Sequence, residues 1–314
     1  MINKLLNQND VNINMDSDGL LSYLFLKKCG FKGEISGFNN SNDLILSCKE
    51  QDELWNGAFI DIFTPKQNAL TVDQHIIMDY QNSHNYGINK INPHLIIEPR
   101  FANNPSYYRK YPFSTCIFLL NLFEKYGLIE EDLNLEQIIG DNGLFPCEVK
   151  LIDLILRADG IWENFIKYEK NVRDWYEKMI TFSNHGKNFK KIFEYLFNLT
   201  HEECKTINDA VSEGYIKYGL KKDGGYNFNI SRKQNINLLC KLLRAFAKYL
   251  NIELREKEVL FNVYKGEMNI CESSNFNFIE MNKVDTYAFI GHSKLSFTTN
   301  IHITNEKEKL VIYE

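Results

Sequence analysis

Acidic side chains and one histidine follow the predicted strands in the N-terminal half of this 314-residue chain. Asp16 and Asp18 come after the first predicted strand, and Asp61 lies late in the strand at 58–63. Asp73 and His75 lie at the end of the strand at 70–73, and Asp141 lies in a turn. Because the carboxyl ends of parallel strands meet at one edge of a sheet, we expect these side chains to converge. Crowded carboxylates repel one another, and bound divalent cations remove that penalty. The pattern therefore predicts a metal site.

Metal chemistry at such a site would suit phosphate esters. Two divalent cations about 4 Å apart can hold a phosphoryl group and activate a water molecule between them. Carboxylate and imidazole ligands favour manganese, magnesium or iron over metals that prefer thiolates. The turn after the first strand has no G-x-G-x-x-G pattern and no Walker lysine, but it offers two carboxylates two residues apart.

The elements that must position these residues alternate between strand and helix. Residues 10–15 alternate apolar and polar side chains, which indicates a short strand. A helix should follow, with Asp18 at its N-cap. Further strands are predicted at residues 34–37, 58–63, 70–73 and 94–98. Further helices are predicted at residues 114–126, 136–139 and 147–162. This order predicts an α/β fold with an N-terminal, mostly parallel sheet and flanking helices.

The second half of the chain has a different pattern. Residues 162–198 are charged and aromatic at helical spacing, with a break near 184–186, and indicate a helical connector. An amphipathic helix at 236–250 and strand-like runs at 259–264, 286–291 and 309–313 indicate a smaller C-terminal α+β domain. We therefore predict a domain at 1–160, a connector at 161–200 and a C-terminal domain at 201–314.

Composition narrows the classes of function. The chain has 36 Lys and Arg against 41 Asp and Glu, a net charge of -5. A protein that grips a long duplex usually has a basic excess, so a short or single-stranded phosphate substrate fits better. No run of about 18 apolar residues is present, so no membrane span is predicted. Seven cysteines without a C-x-x-C pair, and no secretory signal, indicate reduced thiols in a cytoplasmic protein.

The order of these segments resembles the DHH phosphoesterase family. Residues 12–18 (NINMDSD) are similar to its first motif, H-x-N-P-D-x-D, and Asp61 matches the aspartate of its second. Residues 73–75 (DQH) are similar to its D-H-H signature, and residues 140–143 (GDNG) to its fourth motif. The resemblance covers roughly the first half of the chain.

The resemblance implies roles for individual residues. The implied metal ligands or phosphate contacts are Asp16, Asp18, Asp61, His75 and Asp141. Asp61 would bridge two cations, and Asp73 would orient His75. Two family histidines are replaced here, by Asn12 and Gln74. Amide oxygens bind hard cations more weakly than imidazole does, so the site would be weakened or altered, or lost.

The implied enzyme is a metal-dependent phosphodiesterase, with manganese or alternatively magnesium as its pair of cations. The family includes RecJ-like exonucleases, nanoRNA-degrading enzymes and cyclic dinucleotide phosphodiesterases. The expected substrates are thus short or single-stranded oligonucleotides or cyclic dinucleotides, positioned by the C-terminal domain. A homodimer is left open. The alternative is a catalytically degenerate module that binds a phosphate ligand or a protein partner.

Simpler explanations exist for several of these features. Asp16 and Asp18 could cap the following helix, which would account for Asp18 better than for Asp16. Thr200 and Glu203 form a helix capping box rather than a metal site. Residues 217–233 interleave aromatic and basic side chains, a pattern that suits single-stranded nucleic acid or a solvated hairpin equally.

Overall fold

A computed structural model describes residues 2–40, 42–75, 89–98, 110–139, 149–272, 283–289 and 294–314, with no side-chain description at 287–289. Within these ranges nine strands form one sheet. The strands are β1 (Asp10–Asn14), β2 (Glu34–Asn39), β3 (Leu44–Ser47), β4 (Gly57–Ile60), β5 (Ala69–Val72), β6 (Lys90–Ile91), β7 (Glu256–Glu272), β8 (Val284–Phe289) and β9 (Lys294–Tyr313). Their order across the sheet is β6-β5-β4-β1-β2-β3-β7-β9-β8.

The sheet is mixed. β1 runs parallel to β2 and β4, and β4–β5 and β5–β6 are also parallel pairs. The pairs β2–β3, β3–β7 and β8–β9 are antiparallel. The carboxyl ends of β1, β4 and β5 therefore lie side by side at one edge, and the polar residues that follow these strands are brought close to it.

The described helices begin and end as follows: α1 (Ile2–Leu6), α2 (Ser17–Lys28), α3 (Pro93–Ile96), α4 (Thr115–Lys125), α5 (Leu151–Arg157), α6 (Ile161–Phe182), α7 (Lys187–Phe197), α8 (His201–Lys217) and α9 (Arg232–Tyr249). A 3-10 turn, Ala158–Gly160, joins α5 to α6. None of the described helices is both long enough and apolar enough to cross a membrane.

The predicted α/β class is confirmed, including the parallel N-terminal strands and the strand-rich C-terminal region. The break predicted near 184–186 is also confirmed, because Asn184 and His185 adopt left-handed backbone angles (φ 54° and 64°) between α6 and α7. The capping box of Thr200 and Glu203 begins α8 as predicted.

Three local predictions are wrong. Residues 94–98 are not a strand: α3 occupies this segment, because Asn92 caps its N-terminus and Pro93 is its first residue. Residues 136–139 are not helical, and Ile138 forms a β-bridge to Lys150 instead. The helix predicted at 147–162 is interrupted, since Asp159 and Gly160 have left-handed backbone angles (φ 51° and 68°).

The chain forms two compact units that are discontinuous in sequence. The sheet unit contains Met1–Met15, Phe31–Tyr111 and Glu258–Leu310. The helical unit contains Asp16–Gly30, Pro112–Lys257 and Val311–Glu314. The boundaries predicted at residues 160 and 200 stay predictions.

Apolar burial supports each unit. In the sheet unit, Ile45, Leu54, Tyr264 and Ile301 form a buried cluster that joins β3, β7 and β9. In the helical unit, α2 packs against α4 and α9, α4 against α7, and α8 against α5 and α6. Two helices thereby enclose the apolar faces of α2, which is buried along most of its length.

Candidate metal centre

Asp61 is the residue directly after β4, and its side chain is 5% exposed. Its backbone has a φ of 59°, the left-handed region that non-glycine residues rarely adopt. Its amide donates to the carbonyl of Val72 on β5 at 2.8 Å. Asn14, the last residue of β1, donates its side-chain Nδ2 to Asp61 Oδ2 at 3.0 Å. Neighbouring strands thus fix both the backbone and the carboxylate of Asp61.

Asp73 and His75 follow β5 and are joined by two hydrogen bonds. The His75 amide donates to Asp73 Oδ2 at 3.1 Å, and His75 Nδ1 lies 2.5 Å from Asp73 Oδ1. The carboxylate therefore orients the ring through Nδ1.

Asn92 holds the main chain of His75. Its Nδ2 donates to the carbonyl of His75 at 2.8 Å, while its Oδ1 accepts from the amide of His94 as the cap of α3. The Asn92 side chain is 1% exposed. A short strand and a one-turn helix thereby position the loop that carries Asp73 and His75.

Asp61, Asp73 and His75 each offer a ligand atom, and these atoms all lie within 4.8 Å of one another. A cation that binds oxygen and nitrogen at about 2.1 Å places its ligands about 3 to 4 Å apart, so this spread closes with small side-chain movements. Two of the donors are hard carboxylates and the third is an imidazole, the mixture that suits manganese or a similar ion. The three residues fit one divalent cation.

Lys90 is a buried basic residue whose charge interacts with that of Asp73. It is 2% exposed and donates to the carbonyls of Lys66 and Ala69 at 3.2 and 3.0 Å. Burial lowers the pKa of Lys90 to about 7, while the charge of Asp73 opposes that shift. At neutral pH, Lys90 therefore carries only part of its positive charge.

Asp16 and Asp18 have structural partners in the helical unit. The expected N-cap at Asp18 is wrong: Asp16 caps α2, and its Oδ1 accepts from the amide of Gly19 at 2.9 Å. Asp18 is 2% exposed and accepts from the amides of Thr115 and Cys116, at 2.8 and 2.7 Å. It thus serves the N-terminus of α4, where peptide N–H groups stabilise an anion.

The pKa of Asp18 is raised to about 8, first by burial and then by the nearby charges of Asp16 and Asp159, against the lowering effect of the two peptide N–H groups. Asp18 is therefore close to neutral at pH 7 without a bound cation. A raised pKa of this kind is expected for a buried structural carboxyl group and equally for a metal ligand without its cation.

The remaining predicted ligands differ in what surrounds them. Asn12 is fully buried on β1, and its side-chain amide donates to Ser36 Oγ at 3.4 Å. It also lies close to Gly37 on β2, where an added Cβ would be 1.9 Å from Asn12 Oδ1. Gln74 is buried between Asp73 and His75 in the chain. Asp141 lies outside the described residues.

Sequence reasoning did not identify Asn14 and Asn92. Asn14 lies two residues after Asn12 on a strand of period two, so the two share a face, and this spacing could have identified it. Asn92 precedes a proline, which is the usual sequence of a helix N-terminus.

No protein-family model matches the chain, and no characterised protein and no solved structure is significantly similar to it.

Proposed function

We propose that this chain is a metal-dependent phosphodiesterase. The observation that carries the proposal is the group of Asp61, Asp73 and His75, in which two buried carboxylates lie beside an oriented imidazole. Burying two like charges side by side costs several kcal/mol or forces one group to neutralise. A divalent cation offsets that cost, and a site for such a cation is a common basis of phosphoester hydrolysis.

The residues around the site have separate tasks in this proposal. Asp73 fixes the orientation of the His75 ring through the bond at Nδ1, and the imidazole would serve as a ligand of the cation. Asn14 orients the carboxylate of Asp61. When bound, the cation supplies Lewis-acid activation of water and of a phosphoryl oxygen. The second of the two predicted cations stays a prediction, as do the roles of Asp16 and Asp141.

The proposed substrates are short or single-stranded oligonucleotides, or cyclic dinucleotides. The net charge of -5 supports a small ligand over a long duplex. The cysteines of the described ranges form no disulfide bond, in keeping with the reducing compartment that we propose, the cytoplasm.

A degenerate binding module is the second candidate, and two observations favour it. Asn12 stands where the resemblance implies a histidine, and it contacts Ser36 and Gly37 within the sheet. Both carboxylate oxygens of Asp18 accept from peptide amides. In this second function the fold would bind a phosphate ligand or a protein partner without turnover.

Manganese binding and hydrolysis discriminate between the two functions. Calorimetric titration with Mn²⁺ should show binding, and Asp61→Asn should weaken it. Labelled RNA and DNA of two to five nucleotides and a panel of cyclic dinucleotides should be hydrolysed, and Asp61→Asn and Asp141→Ala should each abolish that hydrolysis. Asp10→Asn is the matched control, because Asp10 belongs to the same sheet unit but pairs with Lys49. Binding without turnover of any substrate would favour the degenerate module. Absence of both would overturn the metal site itself.

A further inference from the structure

An exposed aromatic surface lies between α8 and α9. Phe228 is 52% exposed, and the Nζ of Lys221 lies 4.2 Å from the centre of its ring. Tyr226 packs edge-on against the same ring at a centroid distance of 5.2 Å. We call Lys221, Tyr226 and Phe228 the Phe228 platform. A phenyl ring held between a cation and a second ring offers a flat π surface and a positive charge in one place.

The backbone that carries the platform is held by two asparagines. The fully buried Asn235 of α9 accepts from the amide of Asn227 at 2.7 Å and donates back to the carbonyl of Asn227 at 2.9 Å. Asn227 also donates to the carbonyl of Gly219 at 3.1 Å. The segment is thus closed on itself by side-chain hydrogen bonds, so Phe228 is presented in a defined position rather than on a free loop.

The same segment rests on the turn that contains Asp16. Ser17 Oγ donates to the carbonyl of Asp223 at 2.8 Å. A Cβ at Gly224 would lie 3.1 Å from Ser17 Cβ, and one at Gly225 would lie 3.3 Å from Asp16 Cβ. Two glycines therefore allow a close approach of this backbone to the turn of Asp16 and Ser17, which holds the platform in place.

Positive charge is concentrated in this segment, although the chain as a whole is acidic. Residues 217–233 contain five basic residues and one acidic residue, against a net charge of -5 for the chain. Lys217, Lys221, Lys222 and Lys233 are exposed, and within the described ranges none of them pairs with a carboxylate. Exposed lysines without acidic partners remain available to phosphate groups.

We propose that the Phe228 platform binds single-stranded nucleic acid, with a nucleobase stacked on Phe228 and neighbouring phosphates contacted by the lysines of residues 217–233. Stacking on an exposed aromatic ring tolerates any base, and cations beside it attract the backbone. In naming the substrate class of the phosphodiesterase, this proposal rests on the function proposed above. The binding step itself needs no metal, and it can be measured when hydrolysis is blocked.

The test is fluorescence anisotropy of a labelled ten-nucleotide oligothymidylate with the full-length chain in EDTA at low salt. Phe228→Ala should weaken binding by roughly 5- to 100-fold, the range of one lost base stack, and Phe228→Trp should retain it. Lys222→Ala should weaken binding and lower the salt dependence by about one counterion. Tyr126→Ala is the matched control, because Tyr126 is a similarly exposed aromatic residue (47%) outside the segment.

An abasic oligomer of equal length separates stacking from charge. It should bind more weakly than the oligothymidylate and should respond little to Phe228→Ala. Equal affinity of wild type and Phe228→Ala for oligothymidylate would overturn the proposal, as would equal binding of the abasic oligomer or of polyglutamate. If Phe228-dependent binding is found but manganese supports no hydrolysis, the platform stands and the phosphodiesterase fails. If the chain hydrolyses oligonucleotides but Phe228→Ala leaves that hydrolysis unchanged, the phosphodiesterase stands and the platform fails.

Discussion

Asp61 combines two unfavourable features at one position. Its carboxylate is buried beside that of Asp73, and its backbone occupies the left-handed region, which costs a non-glycine residue about 1 kcal/mol. An asparagine at this position would keep the hydrogen bond from Asn14 and tolerate the same φ. The residue is therefore better explained by its charge than by its contribution to stability.

Asp61→Asn should separate stability from metal binding. In EDTA we expect the free energy of unfolding to stay equal or to rise by about 1 kcal/mol, because one of two like buried charges is removed. The affinity for Mn²⁺ should fall at least roughly ten-fold, because a charged ligand is lost. Urea denaturation and calorimetric titration measure the two effects. Asp10→Asn should lower the free energy of unfolding, because it breaks the ion pair with Lys49, and it should leave the affinity for Mn²⁺ unchanged. A loss of stability in EDTA for Asp61→Asn would indicate a structural carboxylate.

Asp18 should make stability depend on pH in the metal-free protein. Its pKa is raised from 3.8 to about 8 in the folded state, so the folded state binds the proton more tightly than the unfolded chain. The resulting stabilisation is complete below pH 3.8 and declines as the pH rises toward 8. We expect the free energy of unfolding in EDTA to fall between about pH 5 and pH 8 in wild type more steeply than in Asp18→Asn, which cannot titrate. If urea denaturation gives the same pH dependence of the free energy of unfolding for wild type and Asp18→Asn, the raised pKa of Asp18 is contradicted.

At the scale of the element, Asp16 connects helix formation with the proposed chemistry. As the N-cap of α2 its carboxylate accepts from Gly19, and asparagine is an equally good capping residue. Asp16→Ala should therefore cost about 1 kcal/mol of unfolding free energy, whereas Asp16→Asn should cost little. Thermal or urea unfolding checks both.

The same pair of variants tests Asp16 as a ligand. If Asp16 also binds a cation, Asp16→Asn should lower the Mn²⁺ affinity while stability is kept. If it is a cap alone, Asp16→Asn should match wild type in both measurements. Thr200→Ala, which removes the cap of α8, serves as a control that affects stability without metal affinity.

Periodicity and capping signals predicted most elements, and strand ends predicted part of the site. Asp61, Asp73 and His75 could be found because each follows a buried strand, and parallel strands align their ends. The mistake at residues 94–98 arose because a short apolar run fits a strand and a helix equally, and the Asn92–Pro93 start was overlooked. The contact of Asp18 with the N-terminus of α4 joins residues far apart in sequence, so no local pattern indicates it.

At the scale of the whole molecule, both compact units depend on the two ends of the chain. The sheet unit takes residues 258–310 from the C-terminal part, and β3 pairs with β7 through residues 44–47 and 262–265. Tyr264 on β7 donates its hydroxyl to the carbonyl of Lys49 at 2.6 Å. The N-terminal strands thus gain both hydrogen-bond partners and apolar cover from residues more than two hundred positions later.

A fragment of residues 1–160, the N-terminal domain predicted from sequence, should therefore fail to fold alone. It would expose β3 as an unpaired edge next to the apolar side chains of Ile45 and Leu54, which Tyr264 and Ile301 cover in the full chain. It would also lose α6 to α9 from the helical unit, so that α2 would lack its contact with α9 and α4 its contact with α7. We expect a broad, non-cooperative urea transition, fast proteolysis and aggregation, whereas the full-length chain unfolds cooperatively.

Adding a separately expressed fragment of residues 161–314 during refolding should restore protection from proteolysis, because it returns the missing strands and helices. A fragment of residues 1–160 that unfolds cooperatively by itself would instead support the boundary at residue 160.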